Sequence, residues 1–431
     1  MGSEGWHSAN ETPGTFGTHG TMNPRNPPSW RRNQIAVVAA TFVGFTGFTL
    51  VMPFLSRYIQ ELGVTDTGEV ALWAGATLGI TPGIAALCAP LWGRVADRFG
   101  NKLLVQRSLF SCVIVMALMA KATEPWHLFA LRAAQGLLAG YGSLTLTMAA
   151  RSAPPDQMAS AIGAVQTAQR FGPAIGPAIG GVLASAIGLR NAFLVSSLIY
   201  VIAFIMLTVM YKERSDDVAR PPATEERVSF SNVLAFENFL LLMLVIFALQ
   251  VVDRSFGPVL LLHVTQLGYA PGRAEVLVGV LFSALALSAV VGHQLAAVVL
   301  RRTTARAVIV VALLAAAMSL LLFTLAESAV LMLVAMAAFG ASTGTALTTS
   351  FTAAGSVVPR HAHGAGFGFL TGAALIGSAI SPVLSGLLAA RSINAVFLTG
   401  AAVLMLLVFL VRRLMAERDL PVEPAPAVDE A

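Results

Sequence analysis

The sequence predicts an all-α membrane protein of twelve transmembrane helices, arranged as two pseudo-symmetric bundles of six. Composition, the spacing of charge, and an internal duplication lead to that prediction. The chain has 431 residues, 56% of them apolar and only 11% charged, with a mean hydropathy of +0.76. A soluble domain would carry about 25% charged residues. A hydrocarbon core about 30 Å thick takes roughly 20 apolar residues per helix, and runs of that kind recur from Ile35 to Val411.

Turn signals and charge clusters divide the chain into spans at 34–56, 70–91, 103–122, 126–150, 158–187, 191–211, 239–262, 273–299, 305–325, 329–356, 364–389 and 393–411. Lysines and arginines then sort by side: eighteen of the 27 fall with the two termini and the even-numbered loops, and only five on the other side. The positive-inside rule places both termini in the cytoplasm. The net charge of +5 therefore reflects topology, and no nucleic-acid partner is expected. Residues 1–33 and 414–431 read as disordered cytoplasmic tails, and the N-terminal one lacks the pattern of a cleaved signal. The bundles are expected at 34–211 and 237–413, joined by a charged cytoplasmic linker at 212–236. Cys88 and Cys112 form no CxxC pair, and His361 and His363 form only an HxH, so neither metal nor cofactor is expected.

The two halves align on each other. A shift of 205 residues lays Pro53 and Gly63 on Pro258 and Gly268, and also Gly163, Gly172, Pro177 and Gly181 on Gly368, Gly377, Pro382 and Gly386. A shift of 204 lays Gly136 and Gly140 on Gly340 and Gly344. A parallel repeat of six spans is a transporter layout, with the substrate site at mid-membrane between the halves.

Three motifs carry mechanism. GRVADRFGNK (93–102) lies between spans 2 and 3. LRAAQGLLAG (131–140) puts Arg132, Gln135 and Gly136 inside span 4, where a cation usually faces a cavity or a partner. Arg132 lies only two turns from the span end, so snorkelling is the competing reading. In span 5, Gly172, Gly176 and Gly180 recur every four residues and form a stripe without side chains, suited to close helix contact in lipid. Pro173 and Pro177 should bend that helix. A bent, smooth helix could pivot against a span of the other half.

Together these motifs resemble the major facilitator superfamily, and span 5 resembles its drug–proton antiporter branch. The first motif is similar to the family's G-x-x-x-D-R-x-G-R-K loop, with Gly93, Asp97, Arg98, Gly100 and Lys102 in place and Asn101 departing from it. The resemblance implies a gating loop whose Asp97 meets the start of span 11. The counterpart loop, AVVLRRTTAR (297–306), has neither Gly nor Asp. For Arg132 the resemblance implies a part in proton transfer. Span 5 matches G-x8-G-x3-G-P-x2-G-G through Gly163, Gly172, Gly176, Pro177, Gly180 and Gly181, which implies a seal at one end of the pathway.

No motif supplies the proton site. Span 1 has no acid between Ile35 and Phe54, and only Asp253, in span 7, lies near mid-span. A carboxyl at that depth can shed its charge by taking a proton, which suits a carrier; an ion pair with Arg254 is the alternative. Phe45, Phe48, Gln135, Arg170, Phe247, Gln250 and Phe256 are candidate cavity residues. The sequence thus predicts a monomeric inner-membrane exporter of drug-like compounds, exchanging them for protons by alternating access. An importer or metabolite exporter of the same family is the main alternative. A membrane-embedded enzyme would need clustered catalytic groups at membrane depth.

Overall fold

The computed structural model describes residues 28–138, 140–154, 157–212, 238–358 and 363–415. The side chains of residues 28, 29, 89, 90, 93, 94, 96–98, 143, 159 and 363–365 are outside that description. Most of the expected tails and linker also lies outside the described residues.

Every described element is helical. Span 1 runs as Pro28–Val51, a 3-10 turn at Met52–Phe54, and Leu55–Glu61. Spans 2 and 3 are Thr67–Phe99 and Asn101–Met119. Span 4 is Pro125–Leu137 followed by Tyr141–Ser152, and spans 5 and 6 are Met158–Ile187 and Leu189–Met210. Span 7 is Phe239–Arg254 followed by Phe256–Gln266. Spans 8 to 12 are Pro271–Val299, Ala305–Thr324, Ala329–Val357, His363–Ala389 and Ile393–Leu414. Among the described residues, ten helices are long and apolar enough to cross a membrane. Spans 4 and 5 are the other two: one is broken, and the other is diluted by Arg170, glycine and proline.

The GRVADRFGNK stretch is not a loop. Its first seven residues finish the helix of span 2, and the chain turns at Gly100, whose φ of 87° suits a residue without a β-carbon. Lys102 opens span 3 and donates from Nζ to the carbonyl of Tyr211 at 2.7 Å, capping the end of span 6. Span 4 is also not one helix. Gly140, at φ 131°, separates its two pieces. A break inside a membrane leaves carbonyls that must find donors. Leu137 accepts from the Trp92 indole at 2.7 Å, and Leu138 accepts from the Ser108 hydroxyl at 2.8 Å and the Arg107 guanidinium at 3.1 Å.

Packing follows the duplication. In the first half, span 1 packs on spans 5 and 6, span 3 on span 6, and span 2 on span 4. In the second half, span 7 packs on spans 11 and 12, span 9 on span 12, and span 8 on span 10. The halves meet along two seams, span 5 with span 8 and span 2 with span 11. Successive spans alternate in direction, so both chain ends share one face, here the terminal face; the other is the distal face.

The glycine stripe of span 5 does not face the other half, as the sequence had suggested. Added β-carbons at Gly172, Gly176 and Gly180 would meet Phe45, Thr46, Thr49 and Leu50, all on span 1 of the same half. The repeat preserves this packing with different residues: where Gly176 faces the Thr46 carbonyl, Ser381 of span 11 donates to the carbonyl of Val251. Gly163, by contrast, has open space around it. Gly180→Ala should therefore lower the thermal unfolding temperature in detergent by several degrees, since overpacking costs about 1–3 kcal/mol. Gly163→Ala should leave it unchanged or higher, because alanine is favoured in a helix by about 1 kcal/mol.

Candidate transport site and gate

The seams between the halves are built from glycine against carbonyl. In the 5–8 seam a β-carbon at Gly181 would lie 2.5 Å from the carbonyl oxygen of Glu275, and one at Gly279 would run into that of Pro177. In the 2–11 seam Gly386 faces the carbonyl of Ala71 in the same way, at 2.5 Å, and Gly75 faces that of Pro382. These are one contact repeated by the duplication, since Gly75 and Ala71 map to Gly279 and Glu275 at a shift of 204. The Ser283 hydroxyl accepts from the backbone N–H of Ala178 at 3.1 Å and adds a polar stitch. All of these residues lie in the distal half of their spans. Of the six motif residues, Pro177 and Gly181 thus touch the other half, while the glycine stripe holds span 5 to span 1.

Glu275 has its side chain buried (6% exposed) in the same seam, within electrostatic reach of Arg57 and Glu61 at the end of span 1. Sequence reading passed over it because it sits in the first turns of its span, where an acid looks like a surface residue.

The first half holds a buried polar cluster. Arg132 is 1% exposed, which excludes snorkelling. Its guanidinium donates to Gln135 Oε1 at 2.6 Å and to the sulfur of Met52, and lies 5.3 Å from the ring centroid of Phe48. Gln135 donates onward to Cys112 Sγ at 3.6 Å, and Thr81 Oγ1 donates to the Arg132 carbonyl. No carboxylate pairs with Arg132 among the described residues, and its Nε has no acceptor. The motif pair Arg132 and Gln135 therefore lies together with Phe48 of span 1.

Asp253 sits at the middle of span 7, where the helix is interrupted at Ser255. It follows Gln250 by three residues and precedes Gly257 by four, so the three share one helix face. Gln250 packs on Gly377 of span 11, and Gly257 faces Leu78 of span 2 across the gap between halves. The side chain is 27% exposed, and its contact with Arg254 is a loose 3.5 Å.

The remaining candidates separate. Phe256 is fully buried in an aromatic cluster with Phe323, Phe339 and Phe397, so it packs the second bundle instead of lining open space. Phe45 packs against Tyr141 with tilted rings, 5.2 Å between centroids, where spans 1 and 4 meet. Phe247 offers its carbonyl to Gly377. Arg170 is exposed. The side chains of Gly93, Asp97 and Arg98 lie outside the described residues, as do those of His361 and His363.

Comparison with known proteins agrees with this architecture. The family model described as the Major Facilitator Superfamily matches residues 37–368 and, in a second match, 277–430. The chain belongs to this superfamily. Among its relatives is the multidrug resistance protein MdtG of Proteus mirabilis, 33% identical over 268 residues, or 62% of this chain and 66% of the relative. MdtG of Yersinia enterocolitica is 33% identical over 239 residues, covering 56% of this chain and 58% of the relative. The matched stretch thus spans slightly under two thirds of these relatives' length. Among solved structures, a bacterial homologue of the human lysosomal transporter Spinster superposes with a TM-score of 0.72 at 15% identity, covering 90% of this chain and 98% of that one. The nucleoside transporter NupG gives 0.69 at 14%, covering 89% and 100%.

With the major facilitator fold and, among the described residues, ten helices long and apolar enough to cross a membrane, the chain is a multi-pass membrane protein of a transporter superfamily. Within that fold the two seams are equivalent, although only span 5 carries the full glycine motif. Gly181→Leu and Gly386→Leu should therefore each cut transport more than tenfold while leaving the protein in the membrane. Transport rate normalised to the amount of membrane-inserted protein checks this; a loss confined to Gly181→Leu would show that the seams are not equivalent.

Proposed function

We propose that this transporter exports drug-like organic compounds across the inner membrane in exchange for protons, by alternating access. Asp253 is the proton carrier and carries the proposal: it is the acid at mid-membrane, it faces the gap between the halves, and its side chain is partly open. Arg132 supports it from the first half as a fixed positive charge without a carboxylate partner. The basic loops set the terminal face in the cytoplasm. With the glycine seams closed on the distal face, the arrangement fits the cytoplasm-facing state of a monomeric antiporter. Two matched relatives are named as multidrug resistance proteins, which supports the direction of transport and the class of substrate.

One proton crossing 100 mV releases about 2.3 kcal/mol, enough at 1.4 kcal/mol per decade for roughly 50-fold accumulation. Asp253→Asn should abolish accumulation against a gradient in proteoliposomes while keeping downhill exchange that no longer depends on pH. Asp253→Glu should keep part of the activity with a shifted pH optimum. Restoration of proton-driven accumulation by neutralising Arg254 in the Asp253→Asn background would mean the acid only balances a charge.

A further inference from the structure

The duplication allows each polar residue at a seam to be compared with its counterpart in the other half. In the 2–11 seam and its neighbour span 4, three of these positions are Ala89, Leu375 and Leu144. Their counterparts at the 5–8 seam and span 10 are His293, Arg170 and Thr348. Three apolar positions on one side of the molecule are thus matched by a cation, an imidazole and a hydroxyl on the other. Shared packing does not require this, because the 2–11 seam packs without it.

Placement shows where the three groups point. Arg170 precedes Pro177 by seven residues and Gly181 by eleven, so it lies on the helix face that meets span 8. The lipid side of span 5 is a different face, formed by Ile175, Ile179 and Val182, which are exposed. The exposure of Arg170 is therefore toward the gap between the halves. His293 follows Glu275 by eighteen residues, five full helical turns, and so shares the face of span 8 that meets span 5. Its Nδ1 is 2.6 Å from the hydroxyl of Thr348, and the carbonyl of Gly344 is also beside the ring, so span 10 fixes the imidazole. Arg170 is close enough to act on His293 electrostatically, and no acidic side chain contributes at that position. Among the described residues Arg170 has no ion pair. Both groups lie on the terminal side of the closed contacts, where the gap is accessible.

We infer that Arg170, His293 and Thr348 form a subsite for an acidic group, a carboxylate or a phosphate-like oxyanion, on the transported compound. Arg170 supplies a planar fork of donors that fits two oxygens at once. The Thr348 hydroxyl and the Gly344 carbonyl hold the imidazole in place as a second polar group beside the guanidinium. The site takes its anion from the solute, not from lipid headgroups, since Arg170 is the thirteenth residue of a 30-residue span and lies deep in the membrane. This inference rests on the proposed function for transport itself and adds a charge preference to it.

The test uses purified full-length protein and two probes that differ only in charge, 2-naphthoate and its methyl ester, with affinity measured by equilibrium binding. The wild type should bind the acid at least tenfold more tightly than the ester. Arg170→Gln and His293→Asn should each reduce that preference at least fivefold without changing ester affinity, and Arg170→Lys should retain most of it. Equal affinity of the wild type for both probes, or a preference unchanged in both variants, would overturn the inference. So would loss of the preference only in Arg132→Gln, which would place the anion in the buried cluster of the first half. None of these readings depends on transport, so failure of proton coupling at Asp253 would appear separately.

Discussion

The structure depends on how closely two helices can approach when lipid, not water, surrounds them. Apolar side chains gain nothing by leaving lipid for a protein interface, so spans associate through tight packing and small residues. Here the two bundles are joined where glycine lies against a carbonyl: Gly181 on Glu275, Gly279 on Pro177, Gly386 on Ala71 and Gly75 on Pro382. Within each bundle the same device recurs, as in Gly136 on the carbonyl of Thr81 and its counterpart Gly340 on that of Leu285. Contacts of this kind bury almost no side chain and hold no salt bridge. They can open and re-form without stranding charge, which is what an alternating gate requires.

The duplicated frame is nearly apolar, and the chemistry lies where the copies differ. Arg132 and Gln135 of the first half correspond to Met336 and Phe339 of the second. Asp253 takes the place of Phe48, the residue that covers Arg132. One half thus carries a buried cation held by neutral groups, Gln135 and Met52, and the other an acid in loose contact with Arg254 at 3.5 Å. A gene duplication alone would produce two identical sites; these departures make the pathway electrically asymmetric.

Much of this was legible in the sequence. The spans, the duplication and the pairing of Arg132 with Gln135 follow from hydropathy, shift and motif spacing, whereas the approach of Phe48 to Arg132 does not. What could not be read was which neighbour each helix face meets. The stripe of Gly172, Gly176 and Gly180 shows that a helix packs closely, but period alone does not say on what, and it packs on span 1. Gly100 and Gly140 act through positive φ, which composition does not reveal, so the helix of span 2 runs on to Phe99 and span 4 breaks at Gly140 where hydropathy marks neither. Phe256 looked like a pocket residue because aromatic type does not distinguish a cavity wall from a packed core.

The 5–8 seam closes the distal face, and under the proposed alternating access it must open for transport. Gly272 and Ser185 offer a direct test, because a β-carbon at Gly272 would lie 3.9 Å from that of Ser185, within the range of a disulfide. The measurement is transport by a Ser185→Cys, Gly272→Cys double variant, with Cys88 and Cys112 replaced, before and after oxidation. If the seam must part, the cross-link forms readily, transport falls to background, and reduction restores it while substrate binding from the terminal face persists throughout. Full-rate transport by fully cross-linked protein would show that the 5–8 seam is not the distal gate.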